Sequence, residues 1–198
     1  MSNPLTLSAA TSTFNGPLRV EAGTLAATVC SSNALDIAGG ATFDARGQTA
    51  VIGGLAGCGA AVNGTLAATG RIEPGTNAVG QSSLTVASLR LEDGATFACN
   101  WKQSGSGYVC PTLAVTDSLV FAGKGTVDFG VAAGGPAFPF GASCVLMTYE
   151  SGAIAEGASA TWKAARTGLD AALNAVLTAK DGKVTVTLCS SGTIVIFR

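Results

Sequence analysis

The sequence predicts an all-β solenoid in which short strands stack rung upon rung around a slender core, with a β-hairpin covering its carboxy-terminal end. Three observations predict it. Gly, Ala and Thr supply about two-fifths of the 198 residues, including 27 Gly. Aromatic residues make up only 6 % and charged residues 12 %, against 47 % hydrophobic. A strand, corner, strand unit recurs along the chain. A chain this apolar and this weakly charged buries enough surface to offset its conformational entropy, so it folds. A core of Ala, Val, Leu and Thr with Gly at frequent corners suits a thin repetitive body better than one round core of large side chains.

The repeat emerges from self-comparison. Leu35 to Ala45 (LDIAGGATFDA) aligns without gaps on Leu89 to Cys99 (LRLEDGATFAC), and Leu119 to Phe129 (LVFAGKGTVDF) is a third copy. Leu18 to Leu25 (LRVEAGTL) is a shorter relative. Alternation of period two puts Leu35, Ile37, Phe43 and Ala45 on one face, as half-buried strands require. Gly at the joint supplies the positive φ of a sharp corner. The starts at Leu35, Leu89 and Leu119 lie 54 and 30 residues apart, or two rungs and one if a coil takes about 25 residues. An antiparallel β-sandwich recognition module is the competing arrangement, since it too shows short strands at regular spacing. Like sequences stacking on like explain the recurrence; a sandwich does not demand it.

Charge and composition exclude several functions. Eleven basic against twelve acidic side chains give a net charge of −1, which offers no basic patch for nucleic acid. There is no histidine. That removes Ser-His-Asp and Cys-His activation and His-ligated metal. The mean hydropathy is +0.44, and the uncharged stretch from Gly47 to Gly70 is long enough for a spanning helix. It is nevertheless broken by Gly53, Gly54, Gly57, Gly59, Asn63 and Gly64, so no membrane insertion is expected. The first residues, MSNP, show no signal-peptide pattern.

The segment Leu5 to Leu25 (LTLSAATSTFNGPLRVEAGTL) resembles the autotransporter-associated β-strand repeat, whose pattern runs L-T-L-S-G-x-N-T-F/Y-x-G-x-T-x-V-x-A-G-T-L. The likeness continues through Leu35 to Ala45, Val51 to Gly59 (VIGGLAGCG), Gly70 to Gly75 (GRIEPG) and Ser83 to Val86, so it covers roughly residues 3 to 150. The resemblance implies a right-handed parallel β-helix, as in the surface-exposed or secreted passenger segments of bacterial autotransporters. Such segments act as stalks, adhesins or display scaffolds. Two departures stand out: the chain has no room for a membrane β-barrel exporter, and it carries six cysteines where passengers usually carry few.

Residues 1–135 are expected to form the helical repeats and residues 136–198 the final rungs with capping strands. FPFG at 138 to 141 breaks the repeat, and Val145 to Tyr149 reads as a strand. Leu169 to Leu177 fits either a short helix or a strand. Asp181-Gly182 between two apolar alternating runs is a type I′ hairpin signal. Gly192 to Arg198 reads as one more strand.

Six cysteines without a C-x-x-C pair argue against zinc. Cys99 and Cys110 flank a Gly/Ser-rich excursion, where a disulfide would close a projecting loop. Cys144 with Cys189 and Cys30 with Cys58 are further pairings. Within the same excursion Trp101 and Tyr108 are the candidate ligand contacts, because exposed loop aromatics suit glycans or proteins. A Trp folded back over the coil is the alternative for Trp101. Catalysis would need clustered carboxylates. Asp36, Asp44 and Arg46, or Arg90, Glu92 and Asp93, are the sets to consider, yet both sit at corners where solvated charge is ordinary, as does Glu73.

The function expected is therefore a non-enzymatic structural segment without cofactor, serving as stalk or adhesive scaffold at a bacterial surface or in secretion. Host or matrix glycans or proteins are the expected partners. A carbohydrate-binding or carbohydrate-active β-helix is the alternative.

Overall fold

The computed structural model describes residues 5–7, 16–27, 34–75, 83–98, 102–104, 107–128, 140–151, 162–165 and 173–190. Among them every regular element is a strand. In chain order they are β1 (Leu5–Leu7), β2 (Leu18–Val20), β3 (Thr24–Ala27), β4 (Ala34–Ile37), β5 (Thr42–Ile52), β6 (Gly54–Gly57), β7 (Ala60–Ala68), β8 (Arg71–Pro74) and β9 (Leu84–Leu91). There follow β10 (Thr96–Ala98), β11 (Lys102–Ser104), β12 (Gly107–Val109), β13 (Leu113–Phe121), β14 (Thr126–Asp128), β15 (Ser143–Ser151), β16 (Lys163–Ala165), β17 (Leu173–Lys180) and β18 (Lys183–Ser190).

Two large sheets result. One runs β1-β3-β5-β7-β9-β13-β15-β18-β17, the other β16-β14-β10-β8-β6-β4-β2. From β2 to β10 each strand lies in the opposite sheet from the one before it. Within each sheet the pairs from β1 to β16 are parallel. Parallel neighbours cannot be joined by tight turns, which is why the chain leaves for the other sheet between them. The antiparallel sandwich is thereby excluded.

Apolar residues stack on apolar residues. In the seven-stranded sheet Leu18, Leu35, Leu55, Ile72, Phe97 and Val127 occupy one row. In the nine-stranded sheet Leu25, Phe43, Ala61, Val86 and Val115 form a second, and Ala50, Leu66, Leu89 and Leu119 a third. Nearly all are buried, Phe43 and Phe97 completely. Corners stack as well: Ala38 N donates to Val20 O at 2.9 Å, Cys58 N to Ile37 O at 2.9 Å and Gly75 N to Gly57 O at 2.7 Å. Backbone polar groups at the bends thus find partners in the neighbouring pass.

The strands β5 and β7 are each bent. Their register breaks between Asp44 and Gln48, where Arg46 has φ 53° and Gly47 φ 75°; Asn63 and Gly64 do the same in β7 with φ 53° and 149°. Asn is at ease in the left-handed region, whereas Arg46 is held there with its N–H bonded to Asp44 Oδ1 at 2.8 Å.

The rung spacing departs from the expected one. Successive members of the Leu18 row are 17, 20, 17, 25 and 30 residues apart, so early passes are shorter than expected and later ones carry insertions. Leu89 and Leu119 are lateral neighbours in adjacent parallel strands, 30 residues apart. Leu35 is not their counterpart, because it lies in β4 of the other sheet. Two different corners use one local sequence: Ala41 N bonds Ala38 O at 3.0 Å with Gly40 at φ 78°, and Ala95 N bonds Glu92 O at 3.2 Å with Gly94 at φ 84°.

The carboxy-terminal end changes sense. β17 and β18 form an antiparallel hairpin, β18 pairs antiparallel with β15, and Asp181 and Gly182 have φ 52° and 71°, the type I′ turn read from sequence. The 169–177 ambiguity resolves as strand over its described part, Leu173 to Leu177. The strand expected at 192–198 lies outside the described residues.

Candidate functional site

The outer face of the bent nine-stranded sheet carries a half-open groove lined by polar and apolar side chains. It encloses about 360 Å³ over the distal halves of β5, β7, β9 and β13. Its floor follows from register. Thr49, Thr65 and Ser88 are lateral neighbours, and Ser118, one residue before the Leu89↔Leu119 pair, carries the row on to Ser151. A parallel row Val51, Ala67, Arg90, Val120 lies two residues farther along each strand. Parallel pairing spaces these positions about 4.8 Å apart, so the hydroxyls form a ladder.

Polar groups at and beside the groove are partly committed. Ser88 is 7 % exposed and its hydroxyl donates to Asp117 Oδ2 at 2.8 Å. Ser151 Oγ donates to Asp117 O at 3.1 Å. At one end Arg90 Nε pairs with Glu92 Oε1 at 2.6 Å. Thr49 and Ser118 line the groove with Thr65 between them. Hydroxyl groups both donate and accept, and the groove can therefore engage a hydroxyl-rich chain lying across the rungs.

Ion pairs elsewhere link strands of the seven-stranded sheet, one of them across an intervening strand. On the seven-stranded sheet Arg19 Nε lies 3.2 Å from Asp36 Oδ2. Arg71 donates to Glu73 on its own strand at 3.1 Å and to Asp128, two strands away, at 2.7 Å. The hydrogen bond to Asp128 is the largest influence raising the Arg71 pKa above the ordinary guanidinium value.

The carboxylates considered from sequence do not converge. Asp36 lies in β4, while Asp44 and Arg46 are in β5 of the other sheet and form their own turn contact. Asp93 Oδ1 accepts from Lys124 N at 2.9 Å, locking one corner on the next. Among the described residues no group of three or more His, Cys, Asp or Glu is arranged to hold a metal ion, and no helix is long and apolar enough to cross a membrane. Gly47 to Gly70 is instead β5, β6 and β7 with their corners.

Tyr108 falls in β12, which pairs antiparallel with β11 opposite Gln103. In the excursion β11 and β12 thus pair as antiparallel strands between β10 and β13 in the chain. Trp101 and Cys99 lie outside the described residues, as does Cys30. Cys110 is buried, and its Sγ donates to Val145 O at 3.5 Å. Cys144 pairs in register with Val186, whereas Cys189 follows Leu188 and so faces the opposite side of β18. The Cys144 with Cys189 pairing is therefore a correction: two residues on opposite faces of one sheet cannot be bridged.

The groove residues Thr49, Thr65 and Ser118, and Ser88 beside them in register, escaped the sequence reading. One signal was present, since aligning Leu89 on Leu119 already sets Ser88 beside Ser118. No family model matches the chain, and neither the curated proteins nor the solved structures contain a match to it.

Proposed function

We propose that this chain is a right-handed parallel β-helix segment of a bacterial surface or secreted protein of autotransporter type, serving as stalk or adhesive scaffold. The observation that carries the reading is the stacking of like residues in parallel register while the chain alternates between two sheets, as in the row Leu18, Leu35, Leu55, Ile72. Successive turns of one coil produce that pattern. Each pass then packs its core mainly on its neighbours, so stability accumulates pass by pass and function resides in length and outer face. The resemblance to the autotransporter-associated repeat supports the surface location.

The test is labelling of intact producing bacteria with a membrane-impermeant amine reagent. Modification of Lys124 and Lys183, both exposed, without lysis is the expected result. Labelling that requires lysis would overturn the surface reading.

The groove over β5, β7, β9 and β13 favours a second reading, carbohydrate binding. Calorimetric titration with a panel of neutral oligosaccharides, repeated on Thr65→Val, tests it. Heat that vanishes in the variant supports that reading, and none in the parent chain removes it.

A further inference from the structure

We propose that Cys110 and Cys144 form a disulfide that staples two adjacent passes of the chain when it meets a glutathione-type disulfide oxidant. The pairing differs from those the sequence suggested and is independent of the surface function proposed above. Three observations converge on it.

The strands β13 and β15 are parallel with Leu113 beside Met147. Cys110 and Cys144 each stand three residues ahead of that pair, on the same side of the sheet junction. Both side chains belong to the buried core, at 7 % and 9 % exposure. Both thiols, moreover, converge on one acceptor: Cys110 Sγ and Cys144 Sγ each lie 3.5 Å from the Val145 carbonyl oxygen. Two such legs cap the separation of the sulfurs at about 7 Å. Cys144 lies in β15 and Cys110 three residues before β13, so both stand at the start of the β13–β15 pairing, and a disulfide spans Cα atoms roughly 4.4 to 6.8 Å apart.

The chemistry balances as thiol–disulfide exchange. The Cys110 thiolate attacks oxidised glutathione, forming a mixed disulfide and releasing one glutathione thiolate. The Cys144 thiolate then attacks the Cys110 sulfur, forming the Cys110–Cys144 bond and expelling the second glutathione. Two electrons pass to the glutathione disulfide, and the two protons lost by the cysteines end on the two glutathione thiols. The closed loop contains the β13 to β15 connection, which passes through β14 of the other sheet. Constraining it in the unfolded chain raises the melting temperature.

The experiment refolds the whole chain from reductant and denaturant into a buffer of reduced and oxidised glutathione, so that pairing comes to equilibrium, and maps peptides without reduction. A Cys110–Cys144 linked peptide is expected, with a melting temperature about 5 to 10 °C above that of the reduced chain. The Cys99→Ser variant should keep both the link and the rise, and Cys144→Ser should lose both. Peptides showing Cys110 and Cys144 both as alkylatable thiols in the folded chain would overturn the proposal. So would a dominant Cys99–Cys110 link. Mapping of the parent chain decides the matter even if Cys144→Ser fails to fold.

Discussion

Trp162 meets Phe121 edge-on, with ring centroids 5.3 Å apart and planes at 87°, while its indole Nε1 donates to the Gly123 carbonyl at 3.1 Å. The ring also covers Gly125, where a Cβ would collide with it. A buried aromatic at 4 % exposure thus closes the core beside β14.

Removing that ring should be costly. Trp162→Ala is expected to lose about 3 to 5 kcal/mol, and Trp162→Phe a smaller amount, near 1 kcal/mol for the indole hydrogen bond. Guanidinium unfolding followed by circular dichroism measures both. Equal effects of the two would mean that the ring does not pack as described.

Two glycines separate steric need from conformational need. At Gly57 a Cβ would overlap the Ile37 carbonyl, and φ is 109°; at Gly94 φ is 84° but nothing lies within 4 Å. Gly94→Ala should cost about 1 kcal/mol of backbone strain. Gly57→Ala should cost more than about 3 kcal/mol, because backbone must move. Reversal of that order in urea titrations would contradict the stacking of β6 on β4.

Arg71 ties β8 to β14 through Asp128, yet its side chain is 46 % exposed. Screening by water limits such a pair, and Arg71→Met should change stability by less than about 1 kcal/mol. Its pKa is raised, first by the hydrogen bond to Asp128. A raised folded-state value makes the contribution fully present below the unfolded value and lost only as pH climbs through the folded one. The difference in melting temperature between Arg71→Met and the parent should therefore not vary from neutral pH to pH ~10 on account of Arg71 itself. A difference that fades across that interval would show that the guanidinium is not the group responsible.

The hairpin turn gives a fourth check. Gly182 has φ 71°, and a Cβ there would lie 2.8 Å from Tyr149 O. Gly182→Ala should destabilise by at least about 1 kcal/mol. Asp181→Asn, which keeps a residue at ease with positive φ, should stay within about 0.5 kcal/mol. Thermal unfolding of the two variants compares them directly.

Much of the strand content was legible in the residues. Alternation marked Leu35 to Ile37 and Thr42 to Ala45, and Asp181-Gly182 announced its turn, because period two and left-handed φ are local properties. The groove was not legible. Thr49, Thr65 and Ser118 are separated by 16 and 53 residues, and only the register of strands far apart in sequence makes them neighbours. Trp162 escaped for the same reason: its partners Phe121 and Gly123 lie about forty residues away.

By itself, then, the sequence determined the β character, the strand, corner, strand units and the closing hairpin, since these follow from side-chain alternation and from which residues tolerate positive φ. Tertiary structure decided which corner each unit occupies, placing Leu35 and Leu89 in different sheets despite their matching surroundings. It likewise brought the thiols of Cys110 and Cys144 to one acceptor, the Val145 carbonyl, and Arg71 across to Asp128. Insertions of unequal length between passes shift the count from one pass to the next, and lateral hydrogen bonding between strands, blind to that count, selects the neighbours.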